Sequence, residues 1–552
     1  MKVNFRGEHG SSTDWVDYVL KLEGLDKDWL NAGWDDIWEP KLKNIEQAYM
    51  MLEKHLFSDG LIRILIDSDC DGFCSSALMY NWIMMKNPNK RVEAYTYEGK
   101  IHGILDAVEF PHADLVIIPD AGSSQEKEMN TLAVRGMDVL IMDHHLTDKD
   151  LTNERIVVVN PHLEGCPYPN KMLSGTGVSW KVCQYYDEKH NSLDYKKLID
   201  LVATANVADV MSCKTKENKA IINIGLSNFN NPFLRAIHAG TYSIADKEMT
   251  PMGIAFYVAP LINSVVRIGT LTDKLDLFYA FTSQGQSQNL IASFKKIKSS
   301  QDNTKEKAFV RIAMDIQNKE SDNHKVILVE VPNKLPKSMT GLIAGQVASA
   351  YLRPTLLGRI NEDGDFVGSI RSLQNSNVEN FKSFCEDSGL MNWTAGHESA
   401  CGFSIPQTNI KEFLDYCDEK LPEFETQHQV AVDLSQVENK AQAITQIAEL
   451  NQHAGTDFQP VLLYNEIQVN SSDLSIIGKN KNTLKIQHKG ITYIKFFYKN
   501  KNFNEGVFGW EYNGEVLNRP VTLKIVGTGN INEWGGNITP QIMIQDFEVI
   551  VD

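Results

Sequence analysis

Short apolar runs punctuate the first third of the chain, and three of them stop at acid or histidine. Leu61-Ile62-Arg63-Ile64-Leu65-Ile66 runs into Asp67-Ser68-Asp69-Cys70-Asp71-Gly72. Leu115-Val116-Ile117-Ile118 runs into Pro119-Asp120-Ala121-Gly122, and Val139-Leu140-Ile141-Met142 into Asp143-His144-His145. Runs this short and apolar predict parallel strands covered on both faces. From 61 to about 285 they alternate with amphipathic stretches, which predicts an α/β domain on a parallel sheet. Cys74–Ile83 reads as the helix after the first strand, with Gly72 as the tight turn between them.

The pattern changes on either side. Residues 1–60 read as a helical extension, with Trp15, Trp29, Trp34 and Trp38 as packing residues. Segment 286–320 is rich in lysine and glutamine and carries Phe294, Ile297, Phe309, Ile312 and Ile316 at loose helical spacing, which predicts a long connecting helix. A second, smaller α/β domain follows over 321–428, with strands at Lys325–Glu330 and Phe366–Arg371 and a helix at Leu342–Ala348. Over 429–552 short alternating runs such as Leu484–Gln487, Thr492–Phe496 and Val521–Ile525 lie between Asn and Gly turns and predict a small β-barrel.

A chain of 552 residues is too long for one core and fits several domains. Its formal net charge of −17 argues against nonspecific polyanion binding by the body as a whole, while leaving room for a local basic groove. The eight cysteines contain no CxxC pair, so a zinc ribbon is excluded and reduced thiols are expected. The N-terminus lacks a signal-peptide core, and no apolar stretch looks long enough to cross a bilayer. A soluble, cytoplasmic protein is the expectation.

In an open parallel sheet, ligands gather beyond the carboxyl ends of the strands. Three such ends bearing Asp and His therefore predict one shared site for a divalent ion such as Mn²⁺ or Mg²⁺. Asp67, Asp69 and Asp71 alternate, so an extended segment would project them to one side, where they repel unless a cation neutralises them. A helix cap needs one acid, not three. Asp120 and the pair His144/His145 gain weight by recurring at successive strand ends. Asp209 follows another largely apolar stretch and is the natural fourth acidic contributor. Ser174-Gly175-Thr176-Gly177-Val178, ahead of a helix expected from Ser179, fits either a tight turn or close approach of backbone amides to an anion. Ser369 and Arg371 alternate on one strand and suit phosphate, and His397 stands among small residues. In the C-terminal region Lys479, Lys481, Lys485, Lys489, Lys495, Lys499 and Lys501 interleave with Tyr493, Phe496, Phe497, Tyr498 and Phe503. Cations for phosphates with rings for bases is the chemistry of single-strand binding, although at least half of these rings are expected to be barrel core.

Taken in order, the motifs resemble the DHH phosphoesterase superfamily and, within it, the RecJ single-stranded-DNA exonucleases, from about residue 61 onward. The DxDxDG motif corresponds to Asp67, Asp69, Asp71 and Gly72, and the DHH signature to Asp143, His144 and His145. Asp120 matches the motif between them, with Pro119 and Ala121 as unusual neighbours. Val207-Ala208-Asp209-Val210 matches the next acidic motif, and Asn263 with Arg267 resembles a stretch lining the DNA path. Gly368–Ser372 and Ala395–Gly402 resemble the DHHA1 domain, with Ala395 where Gly is usual.

The resemblance implies an α/β fold: a parallel-sheet DHH domain over 61–285, a connecting helix, a DHHA1 domain over 321–428 and an OB-like barrel over 429–552. It implies two metal ions, Mn²⁺ or else Mg²⁺. Asp67, Asp69 and Asp120 would hold one; Asp71, Asp120, His144 and Asp209 would hold the other. Asp143 would orient the histidines, and His145 would contact the scissile phosphate. Asn263, Arg267, Ser369, Arg371 and His397 would bind substrate. The implied activity is 5′→3′ hydrolysis of single-stranded DNA to mononucleotides in DNA repair and recombination. The implied partners are single-stranded DNA and a single-strand-binding protein or helicase, without a membrane, for a monomer. Two other readings stay open: a DHH phosphodiesterase of short oligonucleotides or cyclic dinucleotides, and a non-enzymatic strand-binding scaffold.

Overall fold

The computed structural model describes residues 1–7, 13–147, 149–227, 229–282, 287–318, 321–332, 334–373, 378, 380–422, 427–478, 481–496, 502–506, 509–534 and 537–550. The domain borders expected at 285, 286 and 320 lie outside the described residues, as do Lys479, Phe497, Tyr498, Lys499 and Lys501.

The chain opens on a short strand, β1 (Lys2–Phe5), ahead of the helices Trp15–Leu22, Lys27–Leu30 and Ile45–Leu56. Then come β2 (Ile62–Leu65), β3 (Val92–Tyr95), β4 (Leu115–Pro119), β5 (Asp138–Met142) and β6 (Ile156–Val159), an all-parallel sheet in the order β3-β2-β4-β5-β6. β2, β4, β5 and β6 are buried at every position. Helices Cys70–Lys86, Gly175–Lys189 and Ile199–Ala208 share the core of one face, and Glu126–Val134 that of the other. The three strands that end in acid or histidine are neighbours, with Ile117 of β4 paired to Ile64 of β2 and Leu140 of β5. Gly72 is not a turn residue: it lies in the first turn of helix Cys70–Lys86, where a Cβ would stand 2.6 Å from the Asp67 carbonyl oxygen. Its missing side chain lets the Asp67 backbone close onto the helix.

Helix Ser287–Asn318 carries the chain away, as expected. It buries Ile291 and Phe294 in the first core, and Ala308, Ile312 and Ile316 in a second. β7 (Ile327–Glu330), β8 (Thr355–Ile360), β9 (Asp365–Arg371), β10 (Trp393–His397) and β11 (Ala400–Pro406) form a mixed sheet in the order β10-β11-β9-β8-β7. Helix Thr340–Tyr351 shares a core with β7 and β8.

β12 (Gln427–Val430) pairs in parallel with β1, joining Lys2 to Gln427. The N-terminal segment is therefore not purely helical. Beyond it, Val432–Asp433, Leu462–Val469, Val521–Trp534, Asn537–Ile550, Ile491–Lys495, Thr483–His488 and Leu474–Ile477 form one seven-stranded sheet in that order. This agrees with an OB-like region, although two strands run to 14 residues each and helix Lys440–Asn451 packs on the sheet. Tyr493 and Phe503 are fully buried there, whereas Phe496 is exposed.

The expectation that no apolar stretch is of bilayer length also fails. The helical run Pro251–Ile268 is long and apolar enough to cross a membrane by length and composition. Over half of it is buried, and Ile254, Val258, Leu261, Ile262, Val265 and Val266 lie in the main core.

The C-terminal region docks on the first α/β unit. His453 Nδ1 is 2.9 Å from Lys219 Nζ, and that ammonium sits 4.5 Å from the centre of the Trp29 ring. Burial, then the nearby Lys219 charge, push His453 down to about 4. The unfolded chain, with an ordinary imidazole near 6.5, binds the proton first. Stability from this contact is therefore full above pH 6.5 and is lost as pH falls towards 4. We expect the melting temperature to drop between pH 6.5 and 4.5, and His453→Gln to flatten that drop. An unchanged slope in the variant would assign the acid sensitivity elsewhere.

Candidate metal centre

The carboxyl ends of β2, β4 and β5 converge as the sheet dictates. Asp67 directly follows the buried run of β2 and is itself buried. Its Oδ2 lies 2.6 Å from His102 Nδ1, and its Oδ1 accepts the Gly103 N–H at 2.8 Å. Asp69 caps helix Cys70–Lys86 by accepting the Gly72 N–H at 3.0 Å. Asp71 points the other way, onto the start of helix Gly175–Lys189. Its carboxylate accepts the Gly175 N–H at 2.7 Å, the Thr176 N–H at 2.9 Å and the Thr176 hydroxyl.

This settles the Ser174–Val178 motif. The helix begins at Gly175, not near Ser179, with Ser174 as its N-cap. The anion its first amides approach is the chain's own Asp71. Gly175 is required by closeness: a Cβ there would stand 2.5 Å from Asp120 Cα, Cβ and Oδ1.

Asp120 follows β4 with φ of 72°, a left-handed backbone that an aspartate adopts at some cost. His144 Nε2 lies 3.2 Å from Asp120 Oδ1, 3.3 Å from Asp209 Oδ2 and 3.9 Å from Asp71 Oδ2. Asp209 is the C-cap of helix Ile199–Ala208. Asp120 Oδ1 and His144 Nε2 are both buried with no hydrogen-bond partner. Burial and the charges of Asp71, Asp69 and Asp67 push the Asp120 carboxyl well above the usual carboxylate range. Burial, with Asp71 and Asp69, pushes Asp209 up to about 8. Burial lowers His144, which favours the neutral imidazole that ligates metal. Buried orphan atoms facing one another amid like charges are the arrangement a divalent cation satisfies, and this donor set fits Mn²⁺ or Mg²⁺. Three ligand groups assemble: Asp71/His144/Asp209, Asp120/His144/His145 and Asp67/Asp69/His102.

Asp143 is buried and accepts the His144 N–H at 2.7 Å, the His145 N–H at 3.1 Å and the Ser123 N–H at 3.0 Å. It also holds His145 Nδ1 at 2.8 Å, so it fixes one imidazole and the backbone of both. That bond pushes the half-exposed His145 up to about 9.

Of the substrate-side residues, Asn263 and Arg267 lie one turn apart on helix Ala259–Ile268. Burial lowers Arg267, and the charges acting on it are Asp69 of the metal cluster and Arg371 of the second α/β unit. Ser369 and Arg371 share β9, and Arg371 packs on helix Thr340–Tyr351, where a Cβ on Gly341 would meet its Nη2 at 2.5 Å. No carboxylate among the described residues pairs with Arg371. His397 occupies the same rung of the sheet through Ala400, but is exposed in a separate polar pocket of about 520 Å³ with Asn380, Lys382 and Ser383.

Several supporting residues gave no sequence signal. His102 is a lone histidine in a loop. Glu217, fully buried, accepts from Lys181 at 2.8 Å, Tyr168 at 2.7 Å, Asn170 at 2.9 Å and the Trp38 N–H at 3.0 Å. It ties the N-terminal segment to the stretch leading into Ser174. Asp457 accepts from Ser212 and from the Cys213 N–H at 3.0 Å, just beyond Asp209, while Trp29 donates to the Cys213 carbonyl at 3.0 Å. Both ends of the chain thus brace the Asp209 loop.

Comparison with known proteins bears on the fold and the family. Residues 61–206 match the DHH family, N-terminal domain. The chain is 29% identical, over its full length and 98% of the relative, to the SPbeta prophage-derived YorK of Bacillus subtilis (strain 168), provisionally named a single-strand DNA-specific exonuclease. It is 25% identical to the single-stranded-DNA-specific exonuclease RecJ of the same organism, over 93% of this chain and 64% of that longer protein. The crystal structure of RecJ in complex with Mn²⁺ from Thermus thermophilus superposes with a TM-score of 0.77 at 18% identity, covering 99% of this chain and 80% of that one.

Proposed function

We infer that this chain, a RecJ-like member of the DHH superfamily, is a metal-dependent exonuclease that degrades single-stranded DNA from the 5′ end to mononucleotides. The observation that carries the reading is the convergence of Asp71, Asp120 and Asp209 on His144 Nε2, with the buried Asp120 Oδ1 unpartnered and the charges of Asp67 and Asp69 acting on Asp120. Asp67, Asp69 and Asp120 would hold one divalent ion, and Asp71, Asp120, His144 and Asp209 the other. Bound there, the ions supply an activated water and charge stabilisation on the phosphoryl and leaving oxygens.

The protein's own residues do the rest. Asp143 holds His145 through Nδ1 and leaves Nε2 for a phosphate oxygen. Thr176 and Gly175 keep Asp71 from turning away from His144. Arg267 and Arg371, two cations from separate units near enough for their charges to act on one another, would orient the 5′-terminal phosphate with Ser369 and Asn263, and His397, in its own pocket, would meet a more distant phosphate. All eight cysteines are free thiols, which fits a cytoplasmic enzyme of DNA repair or recombination that acts with a single-strand-binding protein or helicase.

End-labelled single-stranded DNA, duplex DNA and dinucleotides incubated with Mn²⁺ or Mg²⁺ test the reading. Mononucleotides released progressively from the 5′ end of single strands are expected; sole cleavage of dinucleotides would overturn it. Arg371→Lys should keep the fold and cut activity on 5′-phosphorylated strands by about tenfold or more, since an ammonium cannot replace a two-pronged guanidinium contact. A wild-type ratio between phosphorylated and unphosphorylated ends would remove Arg371 from phosphate recognition.

The C-terminal sheet presents an open groove of about 880 Å³ lined by Lys485, Gln487, Thr492, Phe496, Asn530 and Gln541. Stacking and amide hydrogen bonds there would favour long strands. Truncation is a poor test, because Asp457 braces the Asp209 loop. Phe496→Ala with Lys485→Ala should weaken binding of long strands several-fold and leave dinucleotide cleavage unchanged. Equal effects on both substrates would give the groove another purpose.

A further inference from the structure

We propose that His102 is a protein ligand of the ion held by Asp67 and Asp69, and that it biases this position towards Mn²⁺ over Mg²⁺. The proposal rests on the two-metal reading above.

The ligand groups divide in a particular way. Asp120 clusters with His144 and His145, whereas Asp67 and Asp69 find their third donor in His102, all three ligand atoms lying within 4.8 Å of one another. The histidine is not a stray loop residue. Segment 101–103 follows β3, the edge neighbour of β2, and is fastened to the end of β2 by successive bonds. The Ile101 N–H donates to Ser68 Oγ at 3.1 Å, and the Gly103 N–H donates to Asp67 Oδ1 at 2.8 Å. Gly103 has φ of 67°, the left-handed turn that brings its amide back onto the carboxylate. These bonds leave His102 Nδ1 2.6 Å from Asp67 Oδ2, with the ring half-exposed at the mouth of the cleft.

Adjacent ligands on an octahedral ion with bonds of about 2.1 Å stand roughly 3 Å apart. The observed separation needs to open by only a few tenths of an ångström for an ion to be shared between the two side chains. A hydrogen bond from imidazole to Asp67 and a ligand pair share nearly the same geometry, so the difference lies in what the nitrogen prefers. Mn²⁺ takes the same oxygen ligands as Mg²⁺ but, as a transition ion, also accepts an imidazole, whereas Mg²⁺ is served by oxygen and water. A nitrogen among carboxylates therefore discriminates between the ions, which an all-oxygen position does much less.

The test compares wild type, His102→Gln and His102→Asp by calorimetric titration with Mn²⁺ and Mg²⁺, and by nitrogen hyperfine couplings in the electron spin resonance of bound Mn²⁺. Gln can keep a hydrogen bond to Asp67 without the imidazole, so loss of ligation separates from loss of positioning. Two Mn²⁺ are expected to bind wild type. His102→Gln should weaken one of them by about a hundredfold or more, beyond the ten- to hundredfold scale of losing a partner that only orients a ligand, and shift Mg²⁺ by less than about threefold. His102→Asp should raise Mg²⁺ affinity relative to Mn²⁺. Histidine couplings should fall from those of two imidazoles to those of one. Unchanged Mn²⁺ affinity or couplings in a folded His102→Gln would overturn the proposal, as would an equal fall for both ions. Wild type that binds fewer than two Mn²⁺ would instead overturn the two-metal reading, and the proposal with it.

Discussion

Asp120→Asn should abolish hydrolysis while leaving the chain folded. In the proposed two-metal arrangement Asp120 is the ligand shared by both ions, and its Oδ1 is an orphan inside a buried cluster of acids. An amide cannot neutralise a cation. Losing a ligand common to both ions should remove several kcal/mol of transition-state stabilisation, roughly a thousandfold or more in rate. Stability should move the other way. Burial and the charges of Asp71, Asp69, Asp67 and Asp209 oppose ionisation of Asp120, so deleting its charge relieves repulsion in the metal-free protein. Asn is the right replacement because it tolerates the left-handed backbone at 120, where Ala would add strain. The expected result is a metal-free melting temperature equal to or above that of wild type, with a smaller rise on adding Mn²⁺. Mn²⁺-dependent activity within tenfold of wild type would remove Asp120 from the metal centre.

Gly175→Ala should be nearly as severe, although position 175 offers no functional group. A methyl there would stand 2.5 Å from three atoms of Asp120. Asp120 cannot retreat cheaply, since its backbone is already in a disfavoured region. Gly175 cannot retreat either without lengthening the bond its amide gives to Asp71 at 2.7 Å. The methyl therefore displaces one proposed ligand, Asp120 or Asp71. A displacement near 1 Å costs about a hundredfold in rate, and overpacking costs about 1–3 kcal/mol of stability. Gly177→Ala is the control, because a Cβ there meets only the Leu173 side chain at 3.2 Å and Asn206 at 3.6 Å. Comparable kcat for Gly175→Ala and Gly177→Ala would show that the close approach at 175 is not what positions the ligands.

Features decided by nearby residues could be read from the chain. β2, β4 and β5 are buried on both faces, so their runs are almost wholly apolar, with Arg63 inside β2 and Asp138 opening β5 as exceptions, and an acid marks each carboxyl end. Asp67, Asp120 and His144 were found because each sits at such an end. Asp209 follows a helix rather than a strand, yet the same rule located it. The Ser174–Val178 segment reads locally as either a tight turn or an anion cradle; its anion is Asp71, about 100 residues earlier, and no local pattern encodes that partner. His102, Glu217 and Asp457 work across 35, 179 and 244 residues, through Asp67, Trp38 and Cys213. The run Pro251–Ile268 shows the converse: a helix at the junction of several others loses its polar face, and composition alone cannot tell it from a membrane span.

The pairing of β1 with β12 sets an order of events during synthesis. Lys2 leaves the ribosome 425 residues before Gln427, its partner in the ladder. At about 5–20 residues per second, β1 waits roughly 20 to 85 seconds with its edge unpaired. The parallel sheet of β2–β6 can close meanwhile, but Trp29 holds a place beside Cys213 and Lys219 that is completed only when His453 and Asp457 arrive. The Asp209 loop thus receives its last brace late in translation, so a nascent chain should close its first parallel sheet well before it acquires full catalytic competence.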